Sequence, residues 1–416
     1  MTVVSQIAAP MNVRSDFPAF GALQGVTVLD TGGVVAAPFA CELAAECGAQ
    51  VIRVELPTED VVRGNPDAFR RGLLRESAWW AQEDRNKLGI VLDFSNPEGK
   101  EVFASLVKKS DIWIESSIPG TYSDHLGITD EWVHQLNPSL VIVHVSGYGQ
   151  YGDPQYFKRA SYDMIGQAFS GFLDMNGEPD GPPMKSNPYT NDYITSLWTL
   201  WSALAGYISA QRTGQGQSID VAQFECQFKM LGDNAIDYLM FGHEHHRAGN
   251  FDPSGAHPYG VYPTKDGWLC IGAVGGPFQR LKKLVPALDQ DKYQTMVDQI
   301  TYGQEIREHL EAWLAERTSE EAELALNAVK VPSSRVMTMN DIATNPHYKA
   351  RDMIIEWTDH VGGKVRGVGF APKFSGTPGR VWRGAPDRGQ DTEAVLIWAG
   401  YDAQQIDALR AGGAVE

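Results

Sequence analysis

The feature that most constrains this chain is a run of short apolar segments alternating with helical patterns between Val26 and Val145. Val26-Thr27-Val28-Leu29-Asp30 reads as a buried strand, followed by a turn at Thr31-Gly32-Gly33. A helix pattern then runs from Pro38 to Cys47, Gly48 ends it, and Val51 to Glu55 forms the next strand. Further strands fall at Ile90 to Leu92, Asp111 to Glu115 and Leu140 to Val145. Pro97 to Lys108 reads as a helix with proline at its entry, where a missing N–H is no loss. Strands alternating with helices predict a parallel sheet with helices on both faces, an α/β fold.

The rest of the chain carries a looser pattern. After Asp192, Leu197, Leu200, Trp201, Leu204 and Ile208 share one helical stripe, which is expected to face a core. Residues 242–263 read as a long loop, and Trp268 to Ile271 as a strand after an Asp266-Gly267 turn. Helices are expected near 275–286 and 304–316, strand and loop over 336–380, and a helix pair over about 391–411. With 416 residues the chain suggests roughly two to three domains.

Several function classes fall away. A net charge of −17 argues against a nucleic-acid partner, because neutralising phosphates needs a basic face. No stretch of about 18 apolar residues exists, so no membrane span is expected. No leader pattern opens the chain, so a cytoplasmic location is expected. Cys41, Cys47, Cys226 and Cys270 form no CxxC pair and no zinc-ligand spacing. His243, His245, His246 and His257 lack a completing carboxylate pattern, so no metal site is expected. The Gly32-Gly33 turn lacks the three-glycine fingerprint of nicotinamide cofactors. Neither GxSxG nor HExxH occurs.

Three segments carry candidate chemistry. Asp192, in Pro188-Tyr189-Thr190-Asn191-Asp192-Tyr193, sits where a polar loop enters a helix. Unpaired N–H groups and the positive helix end are expected to keep it ionised. It then serves as nucleophile, general base or helix cap. Arg85-Asn86-Lys87, close behind Trp79-Trp80, reads either as a phosphate and base contact or as a solvated turn. Ser146-Gly147-Tyr148-Gly149, at a strand end, allows a ligand close to the backbone or is simply a glycine-rich crossover.

Taken together, many segments resemble the family III, CaiB/BaiF-type CoA-transferases. They run from Ala37-Pro38-Phe39-Ala40 and Gly48 to Glu55, through Arg85-Asn86-Lys87, Asn137-Pro138 and Ser161-Tyr162-Asp163, to Thr213-Gly214-Gln215-Gly216-Gln217 and Thr264-Lys265-Asp266-Gly267. The likeness is greatest to the carnitine CoA-transferase branch, through Gln167 to Gly171, Pro188-Tyr189-Thr190 and the run from Pro372 to Thr392. The resemblance implies a large Rossmann-like, CoA-binding domain from residues 1–215 and 335–416 and a smaller α/β domain at 225–330. Residues 216–224 and 331–334 would be linkers. It also implies an interlocked, ring-like homodimer. Asp192 would be the covalent nucleophile, carrying an aspartyl-CoA thioester, and no prosthetic group is implied beyond CoA and acyl-CoA as substrates.

On this reading Arg53, Arg63, Arg85, Asn86, Lys87, Ser146, Gly147 and Tyr148 are the expected CoA contacts. Tyr148, Tyr189, Tyr193, Gly255 and Gly260 are the expected substrate contacts. The loop Ser116 to Leu126 lacks the Lys or Arg common in the family, and only His125 follows in it. A carnitine- or betaine-like acid is the first expected acceptor; another short carboxylic or hydroxy acid is the alternative. A 2-methylacyl-CoA racemase is a rival, disfavoured because Tyr162-Asp163 stands where racemases carry His-Asp. A non-catalytic CoA-ester binding protein is the third reading.

Overall fold

In the computed structural model the described residues are 13–58, 60–64, 77–360 and 362–416, so the segment read for a leader lies outside them. They form two compact units. The first holds the described part of residues 1–170 together with 187–230 and 347–416, and the second holds 171–186 and 231–346.

The first unit is built on β1 (Thr27–Thr31), β2 (Gln50–Glu55), β3 (Leu88–Val91), β4 (Ile112–Ser116), β5 (Val141–Ser146) and β6 (Ser218–Ala222). They pair in the order β3-β2-β1-β4-β5-β6, and every pairing is parallel. Successive side chains enter opposite cores, as the two-residue period of a strand requires. Val28, Ile112, Ile114, Val141 and Val143 pack on one face with Ala37, Cys41, Ala44 and Ala203. Leu29, Trp113 and Ile142 pack on the other with Phe103, Leu106, Val395 and Ile406. Both faces are therefore dry, which is why the strands read as apolar runs. The chain leaves β1 toward β3, then crosses back to β4, so the strand order reverses between β1 and β4. Open α/β sheets bind ligands at the carboxyl ends beside such a reversal.

The segment from residue 347 onward belongs to this unit. Asn86 accepts from the Trp382 backbone N–H at 2.8 Å and donates to the Arg380 carbonyl at 2.8 Å. Gly89 N–H donates to Asp391 at 2.8 Å, and Asp93 N–H to the Ala414 carbonyl at 3.0 Å. An antiparallel pair, β10 (Ile354–Thr358) with β11 (Lys364–Val368), completes it.

Several expectations change. Residues 216–224 are not a linker, because Ser218–Ala222 is the sixth strand of the sheet. Within 336–380, Met339–Thr344 and Pro346–Ala350 are helical; Thr338 and Asp341 cap the former reciprocally. The 24-residue helix Thr190–Thr213 buries a face of small residues, and of the expected stripe Leu200 packs on the core while the outer members do not. Its small residues Thr195, Ser196, Thr199, Ala203, Gly206 and Ala210 are buried, while Leu197, Trp201 and Ile208 are 57%, 62% and 50% exposed. The neighbouring helix Ala36–Glu46 is rich in alanine, and small faces let two helices and the sheet approach closely. A Cβ on Gly206 would meet Val141 at 2.8 Å.

In the second unit, β7 (Tyr259–Pro263), β8 (Trp268–Gly272) and β9 (Ser333–Arg335) form an antiparallel sheet. The long loop thus ends before Tyr259. Tyr262, Leu269, Ile271, Phe278, Ile306 and Leu314 form the core of this unit.

Candidate active site

At the carboxyl ends of β1, β4 and β5, beside the strand-order reversal, lies a cavity of about 240 Å³. Gly33 to Ala36, Ser116 to Pro119, Ser146 and Gly147 supply its walls, and Asp192 and Gln223 lie in it. A second cavity of about 330 Å³ shares Gly33, Val34, Ser116, Ser117 and Tyr162 with the first and extends past the end of β2. Gly147 is required here, since a Cβ on it would overlap Ser161.

Asp192 is the third residue of its helix, yet it is not a cap. Asp163 takes that role from the helix Asp163–Phe169: its Oδ1 accepts the backbone N–H of Asn191 at 2.8 Å and of Asp192 at 3.4 Å. The carboxylate of Asp192 is thereby released for other work. Its Oδ1 accepts a 2.5 Å hydrogen bond from Gln223 Nε2, and both residues are buried, at 4% and 7% exposed. The expectation that Asp192 is held ionised is corrected. Burial, then the negative charges of Asp163 and Glu83, push it up to about 7, and the Gln223 bond opposes this. Desolvation and two acidic neighbours outweigh the helix end.

Glu83 is a second perturbed acid, pushed up to about 7 chiefly by its burial. It accepts the hydroxyl of Tyr193, whose ring stands edge-on to Phe39 at 4.9 Å. Tyr189 stacks on Trp79 with centroids 5.0 Å apart. Tyr148 belongs to a cluster with Phe169 and Phe224 rather than to the lining of either cavity. Gly255 and Gly260 lie in the second unit; a Cβ on Gly260 would strike the Phe251 ring, and Gly255 has φ +75°.

The expected phosphate-binding cations are committed elsewhere. Arg85 pairs with Glu42 at 3.0 Å and with Glu46, and donates to the Val368 carbonyl at 2.7 Å. Lys87, fully buried, reaches Asp30 at 3.0 Å and Asp84 at 2.7 Å. Arg63 makes a two-pronged contact with Glu55, at 2.9 and 2.7 Å, and lies over Trp80. Asn86 binds the segment at 380–383. Arg53 lines the second cavity but is 2% exposed and paired with Asp30 and Asp60. This is an interior ion network, and a charge so balanced has little left for a phosphate.

The sequence did not single out Gln223, Glu83 or Arg159. Among the described residues Arg159 is the cation lining the first cavity, and its guanidinium lies 4.4 Å from the Tyr156 ring centre. Gln223 and Glu83 carry no local motif, and their links to residue 192 or 193 span 31 and 110 positions.

A buried carboxylate with one oxygen that accepts no hydrogen bond among the described residues, in a cavity at a sheet's reversal point, is suited to covalent or acid–base chemistry. Known proteins give that chemistry a family. The sequence matches "CoA-transferase family III" over residues 23–392. It is 40% identical over 404 residues to a bile acid CoA-transferase of Clostridium scindens, covering 94% of this chain and 89% of that one. It is 35% identical over 414 residues to an L-carnitine CoA-transferase of Proteus mirabilis, covering 96% and 98%. A solved CaiB/BaiF family protein of Brucella suis superposes with a TM-score of 0.80 at 29% identity, over 92% of this chain and 100% of that one. The chain belongs to CoA-transferase family III and is an enzyme that transfers coenzyme A.

Proposed function

We propose that the enzyme moves CoA from an acyl-CoA to a free carboxylic acid through a thioester on Asp192. One observation carries this reading: Asp192 lies in the cavity with its capping duty assumed by Asp163. Oδ2 attacks the acyl carbonyl, and the C–S bond breaks, giving a mixed anhydride and CoA thiolate. The thiolate attacks Cγ and the donor acid leaves as a carboxylate, taking Oδ2 with it. The acceptor carboxylate then attacks the aspartyl-CoA thioester, and the steps run in reverse. Holding the partners together in a small cavity makes a weak nucleophile adequate.

Ser146 and Gly147 line the cavity, as Arg159 does, and are the CoA contacts this reading favours. A carnitine- or betaine-like acid is the first acceptor to try. The L-carnitine enzyme supports it, although Tyr189 and Tyr193 line neither cavity. The bile acid enzyme supports a bulkier acid by the same chemistry. The exposed Leu197, Trp201 and Ile208 fit a homodimer face. No helix among the described residues is long and apolar enough to cross a membrane, and the unpaired cysteines fit a reducing, cytoplasmic setting.

The test is a matrix of acyl-CoA donors against carboxylic acids read by mass spectrometry, with α-proton exchange in deuterated water measured alongside. Transfer to at least one acid without exchange supports the reading. Exchange of a 2-methylacyl-CoA without any transfer would replace it with racemisation.

A further inference from the structure

We infer that Gln223 is a catalytic residue: its side-chain amide stabilises the oxyanion that forms on residue 192 itself. The inference rests on Asp192 being the covalent nucleophile. Following the atoms through that cycle separates the two oxygens of Asp192. The oxygen that attacks the donor becomes the bridge of the anhydride and leaves with the donor acid. The other stays on residue 192 throughout. It is a carboxylate oxygen, then an anhydride carbonyl, then a thioester carbonyl.

When CoA thiolate adds to Cγ, a C–S bond forms and the carbonyl electron pair moves onto this retained oxygen. Collapse restores the carbonyl and expels the donor carboxylate. When the acceptor carboxylate adds to Cγ of the thioester, a C–O bond forms and the same oxygen takes the charge again. Collapse then breaks the C–S bond and releases CoA thiolate. No proton is needed in either step. Both tetrahedral intermediates place their negative charge on one oxygen, and that oxygen requires a fixed donor.

Gln223 supplies one. Its Nε2 lies 2.5 Å from Asp192 Oδ1, and among the described residues no hydrogen bond is made to Oδ2. Oδ1 is therefore the retained oxygen and Oδ2 the attacking one. The turn that carries the amide is held in place. Gln223 directly follows β6, and Phe224 N–H donates to the Gly147 carbonyl at 3.4 Å, tying this turn to the cavity wall. Gln223 is 7% exposed, so little water competes for the bond. A neutral amide also suits every stage, since it donates to carboxylate, carbonyl and oxyanion without adding charge. Its bond strengthens as charge builds, which is what accelerates a step.

The experiment compares wild-type enzyme with Gln223→Ala and the isosteric Gln223→Glu, following formation of the aspartyl-CoA adduct and its discharge by acceptor acid in single turnovers. Loss of one such donor predicts a fall of roughly 10²–10³-fold in both rates, with CoA affinity within about threefold of wild type. Rates within about threefold of wild type in either folded variant overturn the inference. One measurement would not respond to a merely structural glutamine. The infrared carbonyl band of the adduct should lie lower in wild type than in Gln223→Ala, and coincident bands overturn the inference. Absence of any adduct in wild-type enzyme, or activity in Asp192→Ala, strikes the covalent reading itself and is told apart from failure of Gln223 alone.

Discussion

Asp192, the proposed nucleophile, has a carboxyl group whose ionisation costs stability. Its carboxyl group lies near 7 in the folded protein, against an ordinary value near 4, so ionising it above pH 7 opposes folding. The folded state holds the proton more tightly, so the penalty is absent below about pH 4 and grows to its full size as pH rises through 7. Asp192→Asn should therefore raise stability at pH 8, by at most roughly 4 kcal/mol, and leave it unchanged near pH 4. Chemical denaturation at both pH values checks this. On the proposed mechanism transfer needs the ionised form, so activity should fall as pH drops below about 7. In Asp163→Asn the amide oxygen still accepts the helix N–H groups, but one acidic neighbour is gone. Its acid limb should move to lower pH, read from the pH profile of kcat/KM. At the cavity, Arg159→Ala should raise KM for acyl-CoA roughly tenfold with little change in kcat, the loss of one charge-assisted contact.

At the scale of elements, ion pairs tie neighbouring strands and helices of the first unit together. His144 on β5 lies between Glu115 at 2.7 Å and Asp130 at 3.0 Å. Burial opposes its charge, but its hydrogen bonds to these two acids push it up to about 10. The stability it contributes is complete below about pH 6.5 and is lost as pH rises through 10, which a pH series of urea melts on wild type and His144→Gln would show. Lys87→Ala should destabilise by roughly 3–5 kcal/mol, because it leaves Asp30 and Asp84 buried without it. The sheet was legible because strands covered on both faces are apolar throughout. The Arg85-Asn86-Lys87 segment was not, since a cation beside tryptophans looks alike whether its partner is phosphate or Glu42, some forty residues upstream. For the Thr190–Thr213 helix, periodicity found which residues share a face but not which face is buried. Thr195 and Ser196 fit inside because their hydroxyls donate to the carbonyls of Asn191 and Asp192. The position of Asp192 was readable from the helix start, whereas its acidity depends on burial and then on Asp163 and Glu83, all three set only by folding.

For the molecule as a whole, the first unit draws on three separate stretches of chain, so its sheet and C-terminal helices should unfold together. The 45.7 kDa chain is expected to run as a dimer in light scattering, and Trp201→Glu to weaken that dimer measurably. The central claim is covalent transfer through Asp192. Its most direct test is intact and peptide mass spectrometry after mixing the enzyme with a panel of acyl-CoA donors and quenching within one turnover. The account predicts a CoA adduct on the peptide containing Asp192, removed by hydroxylamine, and none in an Asp192→Ala protein that still binds CoA. Full transferase activity in Asp192→Ala would contradict it.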